Sequence, residues 1–397
     1  FRNFLTNDGH ISAGGSGVFF EAPETGFGYH QLVNNGTITS WWSDAAMLLG
    51  GYADIYNTGV MTAAIGSAIV VSLDQNVIVN SGVLSAGQNA VEFLSSGNLN
   101  RLTNSGEITS ALGSAVLVQD ADTQFYLKNT GTLTANSSVA TIHVTGNNGF
   151  IRMSNTGVID SVLGGAIGVY GTNNFVDFRN FGELSGSIYL ESGNHTIRSQ
   201  TGTIDGIIYL NGDGNSKLFL GDDDNEVNDI GTGADRFDLG GGVDTVYYIF
   251  STSGIHLDLA AGRGYSGSAQ GDVLIDIENI YGSDYADLIL GNSVANELFG
   301  EAGDDSLKGQ GGDDILEGRD DNDDLFGGSG ADQLIGGQGG DDLTGGADAD
   351  VFVYQFVSDS ALTGIGRDRI MDFEQGVDLI DLSALGIQDF IFQSAFT

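Results

Sequence analysis

Between Gly282 and Val353 the chain runs through eight consecutive nine-residue repeats without an insertion or a deletion. Their sixth positions are Asp287, Asn296, Asp305, Asp314, Asp323, Asp332, Asp341 and Asp350. Their eighth positions are Ile289, Leu298, Leu307, Leu316, Leu325, Leu334, Leu343 and Phe352. An acidic and an apolar residue at a fixed offset, punctuated by glycine, specify a solenoid that stacks like residues in rows. Glycine lets the backbone turn sharply and aim its carbonyls inward. The carboxylate supplies the hard, anionic oxygen that calcium prefers. The apolar residue two places later points into the core.

Stacked carboxylates repel. Two of them ~4 Å apart cost about 4 kcal/mol at an effective dielectric near 20, against a net domain stability of roughly 5–15 kcal/mol. Short strands with one aliphatic each do not offset several such contacts. The tract is therefore expected to be unstructured alone and to fold on binding several calcium ions. Asn296 lacks the acid, and Tyr285 and Val294 replace the fourth-position glycine, so the first two repeats are expected to bind least. Asp321 and Asp348 replace the same glycine, which places the strongest sites between Gly300 and Thr344.

Composition supports an ordered, turn-rich β protein: 63 Gly stand against a single Pro, with 41% hydrophobic residues. The absence of cysteine excludes disulfides and thiol chemistry and fits an extracellular protein held by metal in place of cross-links. The net charge of −40 is uneven: residues 1–210 carry 15 acids and 6 bases, residues 211–397 carry 38 acids and 7 bases. Such a field disfavours nucleic acid and anionic lipid and makes cations the natural counter-partner. No run of eighteen apolar residues predicts a transmembrane helix. No charged-then-apolar leader follows Phe1, so no N-terminal signal peptide is expected.

The first half has its own period. Asn-x-Gly-x-aliphatic recurs at Asn34, Asn57, Asn80, Asn104, Asn129, Asn155 and Asn180, and then as Gln200/Gly202/Ile204, with glycines 20 to 26 residues apart. Each period holds three short alternating runs, such as Val158-Ile159, Ala166 to Tyr170, and Phe175 to Phe178. Three strands and three turns in about two dozen residues make one coil of a parallel β-helix, and about eight coils are expected. The asparagines are read as corner residues that tolerate a left-handed turn and ladder their amides between coils. The competing reading is an array for carbohydrate hydroxyls. The alternation persists through Thr203 to Leu220, which favours one continuous solenoid, all-β throughout.

Gly300-Glu301-Ala302-Gly303-Asp304-Asp305-Ser306-Leu307-Lys308 and Gly336-Gly337-Gln338-Gly339-Gly340-Asp341-Asp342-Leu343-Thr344 resemble the repeats-in-toxin (RTX) nonapeptide, G-G-x-G-x-D-x-U-x. The pattern is looser at Asn225-Glu226-Val227, Asp235-Arg236-Phe237 and Asp244-Thr245-Val246. Gly254 to Leu259 and Gly271 to Asn279 resemble the spacer common in that family. Ala349 to Val353 and Asp368 to Leu385 resemble the C-terminal segment that follows the repeats in serralysin-type proteins. The first half is similar, by architecture and motif, to β-helical adhesins and autotransporter passenger domains of Gram-negative bacteria. The implied organisation is a β-helix over 1–205, a first RTX-like tract over 206–248, a spacer over 249–281, the nonapeptide β-roll over 282–353, and a serralysin-like segment over 354–397.

The resemblance implies two nonapeptides per turn of a right-handed roll, with calcium held between loops eighteen residues apart. Asp305, Asp323 and Asp341 then line one edge, and Asp314, Asp332 and Asp350 the other, with Asp287, Asp304 and Asp313 as further candidates. Asp235 and Asp244, near Asp222 to Asp224, imply a second cluster. Asp368, Asp372 and Asp378 imply another. Family members are exported by type I secretion in Gram-negative bacteria and carry the signal at the extreme C-terminus, and Ala395-Phe396-Thr397 are expected to stop short of it.

Catalytic signatures point elsewhere. There is no H-E-x-x-H and no G-x-S-x-G, and His10, His30, His143, His195 and His256 are dispersed without acidic partners at ligand spacing. A β-helical uronate lyase or epimerase needs a charge-neutralising cation and a base. Arg101, Arg152, Arg179 and Arg198 share one recurrent strand position, read as solvated outward residues. Trp41-Trp42 suit either sugar stacking, packing or a subunit contact. A solenoid without catalytic residues is a scaffold, and no capping helix is expected before its first coil, so its ends and edges invite self-association. The leading expectation is a non-enzymatic, secreted, calcium-dependent protein that self-assembles at or outside the cell surface, as a surface-layer or filament subunit. A monomeric adhesin that binds cell-surface polysaccharide and a uronate-active enzyme are the alternatives.

Overall fold

A computed structural model describes residues 2–21, 28–72, 75–94, 99–119, 124–360 and 366–386. The fold is all-β, with parallel sheets wound as β-solenoid and no α-helix among the described residues. No helix among them is long and apolar enough to cross a membrane. The chain forms two compact units: Phe1–Val227 with Asp238–Gly242, and Asn228–Phe237 with Val243–Thr397. Part of the serralysin-like segment expected at 354–397, including Ala395 to Thr397, lies outside the described residues.

The first unit is a three-faced parallel β-helix. One face carries strands such as Gly28–Asn34, Gly51–Asn57, Asn100–Asn104, Phe150–Asn155 and Phe175–Asn180. The second carries Thr37–Ser40, Val60–Ala63, Glu107–Ser110 and Val158–Ser161, and the third Ala46–Leu49, Ile69–Val71, Val116–Gln119 and Ile167–Tyr170. Alternation at period two decides which side chains go inward. On the first face Leu32, Ile55, Ile78, Leu102, Leu127, Met153 and Phe178 stand in register, coil above coil, and all are buried.

The second face has nine strands, from His10–Ala13 to Thr203–Asp205, so nine coils replace the expected eight. The extra coil opens on Asn7-Asp8-Gly9-His10-Ile11, the same motif, which stands 27 residues before Asn34, a longer interval than any other in the series.

The asparagines end the first-face strands and are buried, which removes the carbohydrate-array reading. Their left-handed conformation is also corrected: none of Asn34, Asn57, Asn80, Asn104, Asn129, Asn155 or Asn180 has positive φ. What they do is ladder. Asn34 Nδ2 donates to Asn57 Oδ1 at 2.7 Å, Asn57 to Asn80 at 2.7 Å, Asn80 to Asn104 at 2.8 Å and Asn104 to Asn129 at 2.9 Å. The column starts at Asn7 and closes where Asn180 donates to Ser199 Oγ at 3.0 Å. The motif glycine is fixed by close approach: a Cβ on Gly59 would collide with Gly36 O of the preceding coil, and one on Gly82 with Gly59 O.

Each second-face strand ends in a corner, and two residues past its end stand Gly15, Gln88, Ser137, Ser187 and Ile207 in five of the coils, with Ser137 buried. That place holds Trp42, Ile65, Leu112 and Leu163 in four of the coils, with exposures of 73, 48, 68 and 72%.

The second unit contains a two-faced roll. Ser306–Gly311, Asp324–Ser329 and Asp342–Ala347 pair in parallel on one face, and Glu297–Ala302, Ile315–Asp320 and Gln333–Gln338 on the other. The register is eighteen residues, as in Leu307↔Leu325 and Leu316↔Leu334, so two nonapeptides make one coil. The eighth-position residues from Ile289 to Phe352 are all buried. Ahead of the roll, Thr245–Tyr247 pairs with Asn279–Tyr281 and His256–Asp258 with Leu288–Leu290. Past it, Arg369–Ile370 and Leu379–Asp381 add one more strand to each face.

Candidate metal centre

Each sixth-position aspartate stands directly before a strand of the roll: Asp305 before Ser306–Gly311, Asp314 before Ile315–Asp320, Asp323 before Asp324–Ser329. Strand alternation puts it on the same side as the leucine two places later, so the carboxylate enters the turn and is buried. The glycine that opens the repeat makes room for it. A Cβ on Gly300 would strike Asp305 Oδ2 and would crowd Gly318 O, and a Cβ on Gly318 would strike Asp323 Oδ2 and crowd Gly336 O.

One oxygen of each carboxylate is used by the fold. Asp287 N donates to Asp305 Oδ1 at 2.7 Å, Asp305 N to Asp323 Oδ1 at 2.9 Å, and Asp323 N to Asp341 Oδ1 at 2.9 Å. On the other edge Asn296 N donates to Asp314 Oδ1 at 2.8 Å, Asp314 N to Asp332 Oδ1 at 2.9 Å, and Asp332 N to Asp350 Oδ1 at 3.0 Å. These two rows are the edges that the resemblance implied.

The other oxygen is not used. Oδ2 of Asp305, Asp314, Asp323, Asp332 and Asp341 is buried and has no hydrogen-bond partner among the described residues. A buried acceptor without a donor is costly, and here it sits beside glycine carbonyls, which are acceptors too. Burial pushes Asp305 and Asp323 up to about 8, and Asp314 and Asp341 up to about 7, with neighbouring carboxylates adding to the rise. Asp332 and Asp350 rise for the same reason, Asp350 to about 6. Acceptor facing acceptor in a low-dielectric turn suits a hard cation with oxygen ligands. The donor set fits calcium.

Other candidates differ. Asn296 Nδ2 donates to Glu278 O at 3.0 Å, so a neutral amide supplies a donor where the other repeats carry charge. Asp287 is already satisfied: Oδ2 accepts from Ser283 N at 2.6 Å, and Oδ1 from Ser283 Oγ at 2.8 Å and Ile255 N at 2.7 Å. Asp304 and Asp313 are exposed, and their Oδ1 atoms accept from Asn322 N and Ala331 N of the next coil. These two hold turns together.

Asp368, Asp372 and Asp378 extend the rows. Asp341 N donates to Asp368 Oδ1 at 3.2 Å, Asp350 N to Asp378 Oδ1 at 3.1 Å, and Gly345 N to Asp372 Oδ1 at 3.0 Å. Asp368 Oδ2 is another buried atom without a partner among the described residues.

Before the roll, Asp235 meets two residues that sequence reasoning missed. Asp229, Asp235 and Asp272 are buried and bring one carboxylate oxygen each to within 4.8 Å of one another. Asp235 N donates to Asp272 Oδ1 at 2.8 Å, and the buried Tyr248 hydroxyl donates to Asp272 Oδ2 at 2.9 Å. Burial raises Asp229 well above the carboxylate range and Asp272 to about 7. Asp244 lies apart from these three, its N–H donating to Glu278 Oε2 at 2.9 Å. Asp222 to Asp224 are exposed and belong to the first unit. The missed residues lie outside any nine-residue register, and the only hint is the Gly271-Asp272 of the spacer.

Comparison with known proteins bears on the second unit. Residues 277–397 match the family model described as peptidase M10 serralysin C terminal. No curated protein matches the chain. The family match covers a little under a third of the sequence and contains all eight nonapeptides and both aspartate rows, while Asp229, Asp235 and Asp272 lie outside it. Residues 277–397 are thus similar to the C-terminal segment of serralysins, and the nonapeptides lie within that similarity.

Proposed function

We propose that this is a secreted structural protein that folds on binding calcium outside the cell and self-assembles there. The observation that carries the calcium part is the double row of buried Oδ2 atoms from Asp305 to Asp341, each without a donor. Calcium between successive turns satisfies them and removes the repulsion that keeps the ion-free roll marginal. Low cytosolic calcium then leaves the roll unfolded for export, by type I secretion as in RTX proteins, and external calcium folds it.

Self-assembly is supported by the exposed corner of the first unit. Trp42, Ile65, Leu112 and Leu163 recur at one place in the coil, and large exposed apolar patches on soluble proteins mark association surfaces. The partner that fits such recurring apolar residues is a second copy of this chain, which carries the same set at the same place in its coils. Electron microscopy and sedimentation velocity with calcium and with EGTA test the reading. Regular polymers that dissolve in EGTA support it, and a strict monomer in millimolar calcium rejects it. Trp42→Ser with Leu163→Ser is expected to abolish assembly while calcium binding persists.

A further inference from the structure

The first unit contains seven of the thirteen Lys and Arg residues, and all seven stand on its first face. Arg101, Lys128, Arg152, Arg179 and Arg198 lie on successive strands of the middle coils, with Arg2 and Lys217 on the outermost strands. They point outward, opposite the Leu32 to Phe178 stack. Two registers hold them. Arg101 pairs with Tyr126, Tyr126 with Arg152 and Arg152 with Asp177, while Lys128 pairs with Ser154, Ser154 with Arg179 and Arg179 with Arg198. Among the described residues, the strands of this face contain two acids, Asp54 and Asp177. Asp54 accepts a hydrogen bond from the Tyr29 hydroxyl at 2.6 Å.

Asp177 shows what the face does with a carboxylate. Its side chain is 9% exposed and lies against three guanidiniums, with Arg198 Nη1 at 3.0 Å, Arg152 Nε at 3.2 Å and Arg179 Nε at 3.6 Å. Those arginine side chains are 43, 50 and 53% exposed, so three cations share one internal anion and keep further N–H donors in water. Aromatic rings brace them: Arg101 and Arg152 lie over Tyr126, Arg152 over Phe150 and Arg198 over Phe219. Phe150 and Phe175 stack on each other at 5.2 Å and 8°, which closes the gap between them to an inserted base. Where Arg101 stands, Tyr29, Tyr52, Asp54 and Leu99 help it to line a recess of about 310 Å³.

We propose that this face binds a linear acidic polysaccharide, its uronate carboxylates seated on the arginine forks. Guanidinium pairs with carboxylate in a bidentate, planar fashion, and five successive coils at ~4.8 Å spacing, four with an arginine and one with Lys128, divided between the two registers, present cations to a chain of repeating anions. The net charge of the protein does not forbid this, because exposed charges more than about 8 Å away are screened at physiological ionic strength. The site uses first-face strands of the first unit and neither the aspartates of the second unit nor Trp42, Ile65, Leu112 and Leu163, so it stands or falls separately from calcium binding and self-assembly.

The test is binding of the full-length, calcium-loaded protein to a short labelled oligogalacturonate, with its methyl-esterified form and oligodeoxythymidylate as competitors. The wild type is expected to bind the free acid at least tenfold more tightly than either. Arg101→Ser with Lys128→Ser, which leaves Asp177 and its three partners alone, is expected to lose about tenfold. Asp177→Asn is expected to bind more tightly, because it releases three guanidiniums, a gain that a merely structural role for the stripe does not produce. Equal binding of the ester overturns the proposal, and preference for the oligodeoxythymidylate transfers the face to nucleic acid. Unchanged affinity in a folded double variant, as calcium bridging would give, also overturns it. If that variant does not fold, the absence of a gain in Asp177→Asn decides against.

Discussion

The backbone N–H of Asp341 donates to Asp368 Oδ1 across 27 residues of chain, making the bond that Asp323 N makes to Asp341 across eighteen. The row of aspartates therefore runs past the last nonapeptide, and the segment after it supplies the final acceptor. Asp368→Ala removes that acceptor, and a buried donor left unsatisfied costs about 1–3 kcal/mol. The expected result is faster hydrogen exchange at the Asp341 amide, by roughly ten- to a hundredfold, and a calcium titration midpoint shifted to higher concentration. Exchange at Asp341 unchanged from wild type would count against a shared row.

Asp323→Asn separates the two jobs of the carboxylate. The amide oxygen still accepts from Asp305 N, while the charge disappears, as it already has at Asn296. Without calcium the variant is expected to hold a larger folded fraction of the roll than wild type, since a desolvated charge has gone. With calcium it is expected to gain less, because ligand stabilisation follows RT ln(1 + [L]/Kd), about 2.7 kcal/mol at a hundredfold excess over Kd. Calorimetry in both conditions reads the crossover, and a variant that loses in both or neither refutes the division.

The two units respond to pH in opposite senses. In the metal-free second unit the folded aspartates bind protons more tightly than the unfolded chain, with Asp305 and Asp323 raised from 3.8 to about 8 by burial. Stability from these groups is full below about pH 4 and falls as pH rises towards 8. In the first unit burial lowers His30, His143 and His195 from 6.5, so their contribution is full above 6.5 and falls as pH drops below it. Hydrogen exchange in EDTA from pH 5 to pH 8, read by peptide, is expected to show the roll loosening with rising pH and the β-helix tightening. Parallel trends in both units would disprove the assignment.

Asn104→Ala tests the amide column. It takes the donor from Asn129 Oδ1, leaves Asn80 Nδ2 with Gly82 O and Glu107 O alone, and opens space in a packed corner. One such group at about 1–3 kcal/mol, added to the packing lost in the corner, predicts a loss of about 2–4 kcal/mol. Thermal unfolding of the first unit, followed in calcium to hold the second, is the measurement. A melting temperature within a degree of wild type would show the column to be decorative.

Much of this was legible in the residues. A strict nine-residue register announces stacking, and the resemblance to RTX repeats, with two nonapeptides to a turn, implied that Asp305, Asp323 and Asp341 share one edge. The Asn-x-Gly period announced the β-helix in the same way. What the sequence hid were relationships without a period. Asp229 and Asp272 stand 43 residues apart and meet only because the chain between them folds back on itself. The arginine positions were visible as a recurrent strand place, but their number of partners was not: three guanidiniums on one Asp177 is a product of register across three coils. The exposure of Asp304 and Asp313 was hidden for a related reason, since adjacent acids in a repeat point to opposite faces.

The asparagine column also has a consequence for how such a chain changes over generations. Every amide from Asn7 to Asn155 passes its proton donor in the same direction, so the column has a head, a tail and identical joints. A duplication of one whole period slots a new joint into the middle and leaves every neighbour with the bond it had. A duplication that carries less than a whole coil, from one asparagine to the next, leaves two ends that do not meet. The number of coils in the first unit is thus a heritable variable that moves in whole steps, and the glycine-sized clearance at each joint is the gauge that rejects everything in between.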